Sequence, residues 1–324
     1  MPIIDDPILR HDWHVLARSS DVPAGATHAA RLLGEDVVLW RGATGLHAWR
    51  DLCVHRGAKL SPGRVADDCL ICPYHGWTYN SAGLCTRIPA HPQQIPPSRA
   101  QAQVYQVRER YDLIWVCLGE PVQDIPPFPE WDDPTYRKVP SGPYRFRTYG
   151  PRIVENFLDV GHLAHVHAGL LGEASRPEID HYEVELSDDG VLAKDIPIWQ
   201  PNPDGSGKPG LTHYTYQVLR PLTATFVKRQ GEQRFAMIDI VTPVDDNDSQ
   251  AWAIMAINYL HELPEAQLRD FQDLVTSQDV PIVESQRPEL LPLDLQAELH
   301  LRSDRTAIAY RQWLRRIGLK HGTA

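Results

Sequence analysis

Short apolar runs separated by turn residues fill the first third of the chain. Val37-Val38-Leu39-Trp40 is closed by Arg41-Gly42, and Leu46-His47-Ala48-Trp49-Arg50 resumes soon after. Trp77-Thr78-Tyr79 leads into Asn80-Ser81-Ala82-Gly83, a turn signal. Leu113-Ile114-Trp115-Val116-Cys117-Leu118 is apolar throughout and predicts a buried strand, ended by Gly119-Glu120-Pro121. The spacing predicts an all-β first domain. The run Ile125-Pro126-Pro127-Phe128-Pro129-Glu130-Trp131 breaks both helix and strand, which places a boundary between residues 1–125 and residues 126–324.

The second part opens with a segment predicted to be helical from Val154 to His167. His181-Tyr182-Glu183-Val184-Glu185-Leu186 alternates, and His213 to Leu219 is rich in aromatic and β-branched residues, so both predict strands. Between them, Pro201 to Gly210 has the composition of a long loop. Ala251 to Leu260 is apolar enough for a central strand. Helical patterns follow from Glu265 to Glu284 and from Thr306 to Ile317, with Pro281 expected to kink or end the first. The fold class is therefore α+β.

With 324 residues the chain is long enough for two domains of ordinary size, and 42% hydrophobic residues suffice for a core in each. A formal charge of -10 argues against nucleic acid and anionic membrane as partners. The first residues show no basic segment followed by an apolar one, and no run is long enough to span a bilayer. Five cysteines, an odd number, suit a reducing compartment, so the expectation is a cytoplasmic protein.

The chemistry lies first in two cysteine–histidine pairs. Cys53-Val54-His55 and Cys72-Pro73-Tyr74-His75 are separated by sixteen residues. Two thiolates and two imidazoles on two loops are the ligand set of a Rieske [2Fe–2S] cluster, in which the cysteines hold one iron and the histidines the other. Gly57 and Gly76 allow tight loops that bring backbone amides toward cluster sulfur, and Trp77 is placed to shield it. A Cys₂His₂ zinc site is the competing reading, but its usual spacings differ from this one. Cys69, Cys85 and Cys117 read as small core residues.

These motifs, including Cys72-Pro73-Tyr74-His75-Gly76-Trp77, closely resemble the Rieske domain of Rieske non-haem iron oxygenases. A second motif extends the resemblance: Asn156-x₂-Asp159-x₂-His162-x₄-His167 is similar to the mononuclear iron motif of the same family. The resemblance implies His162 and His167 as iron ligands, and Asp159, with Asn156 beside it, at the bridge between two metal centres. An ideal helix would instead set His165 nearer the His162 face, so His167 requires the helix to loosen or end first. Two histidines and one carboxylate form the usual oxygen-activating iron site. Short members of the family place the carboxylate at the position of Asp279, with Glu284 and Asp273 as competitors. Tyr214, Tyr216, Phe226 and Trp252 are candidates for a substrate pocket.

What the resemblance implies overall is a Rieske domain followed by a helix-covered antiparallel-sheet catalytic domain. It implies a terminal oxygenase that takes electrons originating in NAD(P)H from a flavin/iron-sulfur reductase or ferredoxin, and uses O₂ on a small molecule. The short vanillate and dicamba O-demethylase type points to hydroxylation or oxidative demethylation of a ring-bearing substrate. A cis-dihydroxylating dioxygenase and a hydroxylase of polycyclic alkaloid-type products are the alternatives. The family further implies a homotrimer, with electrons crossing to a neighbouring subunit through Asp159.

Overall fold

The computed structural model describes residues 3–324. It divides into two compact units: residues 3–125 with the hairpin tip Val244–Asp246, and residues 126–243 with 247–324.

The first unit contains a short helix α1 (Pro7–Arg10) and ten strands. These are β1 (His14–Arg18), β2 (Thr27–Leu32), β3 (Glu35–Arg41), β4 (Leu46–Arg50), β5 (Arg64–Ala66), β6 (Cys69–Ile71), β7 (Thr78–Asn80), β8 (Cys85–Arg87), β9 (Val104–Arg110) and β10 (Leu113–Cys117). A six-stranded sheet has the order β1-β10-β9-β4-β3-β2, and β5 to β8 form a small meander in sequence order. The apolar run of β10 is buried along its whole length. Val38, Trp40 and Trp49 from β3 and β4 share a core with Leu60, Leu70 and Tyr79. Cys53 and Cys72 belong to the same core, so both sulfurs lie inside while the rest of their loops faces outward.

The second unit begins with α2 (Pro129–Asp132) and β11 (Arg137–Phe146), followed by α3 (Gly150–Leu158). Six strands come next, all but the first long: β12 (Glu183–Leu186), β13 (Val191–Gln200), β14 (Gly210–Arg220), β15 (Thr223–Gln230), β16 (Gln233–Asp245) and β17 (Asp248–Ile257). With β11 they form a seven-stranded sheet ordered β11-β17-β16-β15-β14-β13-β12. Helix α4 (Glu265–Ser285) packs on β11, and α5 (Arg305–Ile317) on β12 and β13. In β14 the alternation buries Thr212, Tyr214, Tyr216 and Val218 on one face.

One helix expectation needs correction. The segment from Val154 to His167 is not one helix: α3 starts earlier, with Pro151 in its first turn, and ends at Leu158. Asp159 has extended backbone (φ -78°, ψ 130°), and its carboxylate accepts the amides of Gly161 (2.8 Å) and His162 (3.2 Å). A side chain that satisfies local amides competes with continued helix, and a separate 3₁₀ turn, His162–Ala164, follows. Of the two outcomes expected at Pro281, a kink or an end, the end does not occur: α4 continues to Ser285. Proline there removes one backbone bond near the C-terminal end, and the remaining turn survives it.

Helix α3 is fixed by a buried ionic network. Arg152 and Arg311 are each 2% exposed. Arg311 holds Glu155 through Nε (2.5 Å) and Nη2 (2.8 Å), and Glu298 through Nη2 (2.5 Å). Arg152 reaches Glu298 (2.8 Å) and the Pro288 carbonyl (2.7 Å). Breaking such a pair leaves a buried charge without compensation, which costs about 3–5 kcal/mol. Arg311→Met is therefore expected to lose stability on that scale in urea unfolding, and Arg311→Met/Glu155→Gln to recover part of it. An additive double variant would show that the two residues are not coupled.

Candidate metal centres and substrate pocket

The two cysteine–histidine loops are built alike. Gly57 N–H donates to the Cys53 carbonyl (2.9 Å), and Cys53 N–H to the Ala58 carbonyl (2.7 Å). In the second loop Gly76 N–H donates to Cys72 (3.1 Å), and Cys72 N–H to Trp77 (2.9 Å). Each turn closes through a glycine in the left-handed region, at φ +70° and +69°. The loops set the His55 and His75 rings 4.6 Å apart, between β4 and β5 and between β6 and β7 respectively. Trp77 stacks on His55 at 4.5 Å and 8°.

The donor atoms suit a cluster that is thiolate-bound inside and imidazole-bound outside. Burial, with Cys53 beside it, raises the Cys72 thiol, and the amides of Tyr74 and His75 offset only part of that. Those amides point at the sulfur and would stabilise charge on it. The Tyr79 hydroxyl lies 3.2 Å from Cys53 Sγ. Partial burial, His75 and Arg56 lower the pKa of His55, and its Nδ1 is enclosed without a hydrogen-bond partner. A neutral imidazole with a free ring nitrogen is the form that binds metal. His75 is exposed at the surface.

The second group forms where α3 ends. His162 Nδ1 hydrogen-bonds to Asp159 Oδ2 (3.1 Å), and His167 Nδ1 to Gln278 Oε1 (2.8 Å). Both acceptors draw the ring proton to Nδ1 and leave the Nε2 lone pairs free. These lone pairs converge on Asp279 Oδ1, at 3.6 Å from His162 and 3.1 Å from His167. Asp279 Oδ1 is itself buried without a formed hydrogen bond. Three electron-rich atoms converging in this way are stable around a positive charge. Ligands at roughly 2.1 Å from one ion and at right angles would stand about 3 Å apart, close to the 3.1 and 3.6 Å from Asp279 to the two imidazoles. Burial lowers the pKa of His167, but the neighbouring Asp279 carboxylate and the bond to Gln278 prevail and raise it, so positive charge is favoured at this point. Burial likewise opposes charge on Asp159, yet His162 and the two amides prevail and lower its pKa.

The competing candidates lie elsewhere. His165 is exposed. Glu284 Oε1 accepts the Arg147 amide (2.8 Å), and Asp273 Oδ1 accepts the Tyr144 hydroxyl (2.6 Å). Asn156 is on the pocket wall, outside the converging triad.

His162, His167 and Asp279 open into a cavity of about 390 Å³, a size suited to a small molecule. Its walls are aromatic. Tyr214 and Tyr216 stack at 5.7 Å and 13°, Phe226 and Phe235 at 5.8 Å and 14°, and Phe157 packs on Tyr216 and Phe226. Trp252, expected in the pocket, is not part of its lining: it is buried while its neighbour Ala251 lines the cavity, as strand alternation requires.

Sequence reasoning missed four polar residues here. Gln278 orients His167. Gln200, Lys228 and Asp239 line the cavity. The signal for one of them was a charged residue inside an otherwise apolar strand, Asp239 within Phe235 to Val244; Lys228 is followed by Arg229 and Gln230 and carries no such signal. Burial raises Asp239 to about 7, helped by the charge of Asp279. Burial lowers Lys228 to about 8, against the pull of Asp204.

Because the folded pKa of Lys228 lies below its ordinary value of 10.5, keeping the ammonium charged costs stability. The cost is absent above about pH 10.5, appears as pH falls toward 8, and is complete below it. Lys228→Met is thus expected to be more stable than wild type at pH 7, by up to about 3 kcal/mol. The gain should fade between pH 8 and 10.5. Equal melting temperatures across that range would refute this reading.

A Cys₂His₂ cluster site in an all-β domain, with a 2-His-1-carboxylate group in a second domain, defines a non-haem iron oxygenase fed by an iron–sulfur cluster. The family models agree: residues 12–107 match the Rieske [2Fe-2S] domain, and residues 146–319 match the vanillate O-demethylase oxygenase C-terminal domain. The chain belongs to the Rieske non-haem iron oxygenases, as an oxygenase (alpha) component that binds a [2Fe–2S] cluster and mononuclear iron. It is 30% identical to methylxanthine N1-demethylase NdmA of Pseudomonas putida, over 97% of this chain and 90% of that one. The structure of NdmA with caffeine superposes with a TM-score of 0.84 over 95% of this chain and 90% of that one. Dicamba monooxygenase bound to dicamba, 23% identical, shares the fold with a TM-score of 0.81 over 95% and 97%.

Proposed function

We propose that this oxygenase removes a methyl group from a ring nitrogen or ring-bound oxygen of a small aromatic or heteroaromatic molecule. The observation that carries the reading is the opening of His162, His167 and Asp279 into an aromatic-walled cavity with room for one or two fused rings. The N1- and N3-demethylases of P. putida, related along nearly their whole length, support it.

In this reading Cys53 and Cys72 hold one cluster iron, His55 and His75 the other, and His162, His167 and Asp279 the mononuclear ion. When bound, these groups supply stored single electrons and oxygen activation. The aromatic walls hold the ring flat and exclude water, so that the methyl group faces the triad. Overall, one atom of O₂ enters a methyl C–H bond and the other leaves as water, with two electrons and two protons. The hydroxymethyl group then parts from the ring nitrogen or oxygen as formaldehyde.

The electrons come from a reductase, an NAD(P)H-dependent flavin/iron-sulfur protein or a ferredoxin served by one. We place the chain in a homotrimer, with Asp159 between His75 of one subunit and His162 of the next. Asp159 is tied to His162 on one side and retains 36% side-chain exposure, which supports a contact on the other. The five free cysteines suit a reducing cytoplasm.

The test is a panel of N-methyl and O-methyl ring compounds with a surrogate reductase. Formaldehyde formed in step with O₂ consumption and demethylated product is the expected result. Ring hydroxylation without formaldehyde would overturn the reading.

A further inference from the structure

The pocket is electrically polarised along the sheet that forms its floor. Lys228 of β15 stands in register with Tyr214 of β14 and with Phe235 of β16. Asp239 of β16 stands in register with Ala224, four residues from Lys228 along β15. Side chains at even separations share a face, and four residues at about 3.3 Å each put the two rows roughly 13 Å apart. Asp239 marks the metal end, since Asp279 acts on its charge. Phe226 and Met237 fill the row between. The cavity therefore has Asp159, Asp239 and Asp279 toward one end and one lysine at the other.

The partners of Lys228 are neutral. Its Nζ donates to the Pro203 carbonyl (2.7 Å), reaches Gln200 Oε1 (3.5 Å), and lies 5.3 Å from the Phe235 ring centroid. Gln200 is 1% exposed and held by bonds from its Nε2 to the Leu171 carbonyl and the Tyr214 hydroxyl, both 3.0 Å, which turns its oxygen to the lysine. The nearest acid acting on Lys228, Asp204, is engaged with the Ser206 amide (2.9 Å). An ammonium has three protons to donate. Two are used here on neutral oxygens, and a third remains for the cavity that Lys228 lines. An enclosed cation without a carboxylate beside it favours a ligand that brings the negative charge.

We infer that Lys228 is a substrate-recognition residue that pairs with an oxyanion on the ring system, at the end remote from the carbon being oxidised. The substrate is then a methylated ring acid, carboxylate or sulfonate. An oxyanion held at Lys228 places the opposite end of the ring system, with its methyl group, toward His162, His167 and Asp279. The inference rests on the demethylation reading for the identity of the oxidised carbon, but not for the binding step.

The test is equilibrium binding to the oxidised, metal-loaded enzyme without reductase, so that no turnover occurs. The probes are 4-methoxybenzoate, 4-methoxybenzenesulfonate and 6-methoxy-2-naphthoate, each beside its neutral amide. Wild type is expected to bind at least one acid tenfold or more tighter than its amide. Lys228→Met should lose that preference, and Lys228→Arg, which keeps the charge, should retain part of it. The matching acid identifies the carboxylate or sulfonate source. Absence of acid preference in wild type, including absence of binding, overturns the inference, as does a preference unchanged in Lys228→Met. Formaldehyde release without acid preference would leave demethylation standing alone. Acid preference with a ring-hydroxylated product would leave the recognition role and remove demethylation.

Discussion

Asp159→Asn is expected to keep its [2Fe–2S] cluster and its mononuclear iron and to lose turnover by about 100-fold or more, the upper range for a group that orients a metal-binding histidine. The substitution is chosen because it alters charge more than shape. The carboxylate holds the Gly161 amide on Oδ1 (2.8 Å) and the His162 amide and Nδ1 on Oδ2 (3.2 and 3.1 Å); asparagine, with its one oxygen in the second position, can still accept both His162 donors and gives up only the Gly161 amide. The turn that follows α3 should therefore form. What disappears is the negative charge that His162 and the amides stabilise in Asp159. Single-turnover measurement separates this from a folding defect: the chemically reduced cluster should reoxidise slowly in the presence of substrate and O₂ while its spectrum is normal. A wild-type reoxidation rate with both metals present would remove Asp159 from any role between the centres.

Asp279→Ala is expected to abolish detectable turnover through loss of the mononuclear iron, with the visible and EPR spectra of the cluster unchanged. The carboxylate is the anionic member of the converging group, and its oxygen stands 3.1 and 3.6 Å from two imidazole nitrogens. Without it, two neutral donors remain, too few to retain ferrous iron against water. Glu284 and Asp273 cannot substitute where they stand, because the Arg147 amide and the Tyr144 hydroxyl engage them. Activity near wild type would mean that another carboxylate serves.

The legible parts of the sequence were those whose determinants are local. Each cysteine–histidine turn closes within five residues, so the spacing of Cys53, His55 and Gly57, and of Cys72, His75 and Gly76, already implies the loop. Strands such as β10 and β14 followed from unbroken or alternating apolar runs. The extent of α3 did not follow, because periodicity carries no information on a carboxylate at residue 159 capping the next turn. For the same reason His165 stayed in contention beside His167. Asp279 is distant in sequence from both histidines, and only resemblance singled it out from Asp273 and Glu284. Gln278 of α4 and Gln200, Lys228 and Asp239 of the sheet act through packing between segments distant in the chain, and of these only Asp239 stands out in the sequence, as a charged residue among apolar ones. Trp252 illustrates the converse: an aromatic in an apolar strand faces the core or the pocket according to register.

The most direct test of the account is the ratio of iron to acid-labile sulfide, measured side by side in wild type and Asp279→Ala after anaerobic reconstitution with ferrous iron and desalting. One [2Fe–2S] cluster and one mononuclear ion per chain predict about three irons to two sulfides in wild type. The variant should fall to about two irons to two sulfides. The same three-to-two ratio in both proteins would contradict the placement of the second iron at His162, His167 and Asp279.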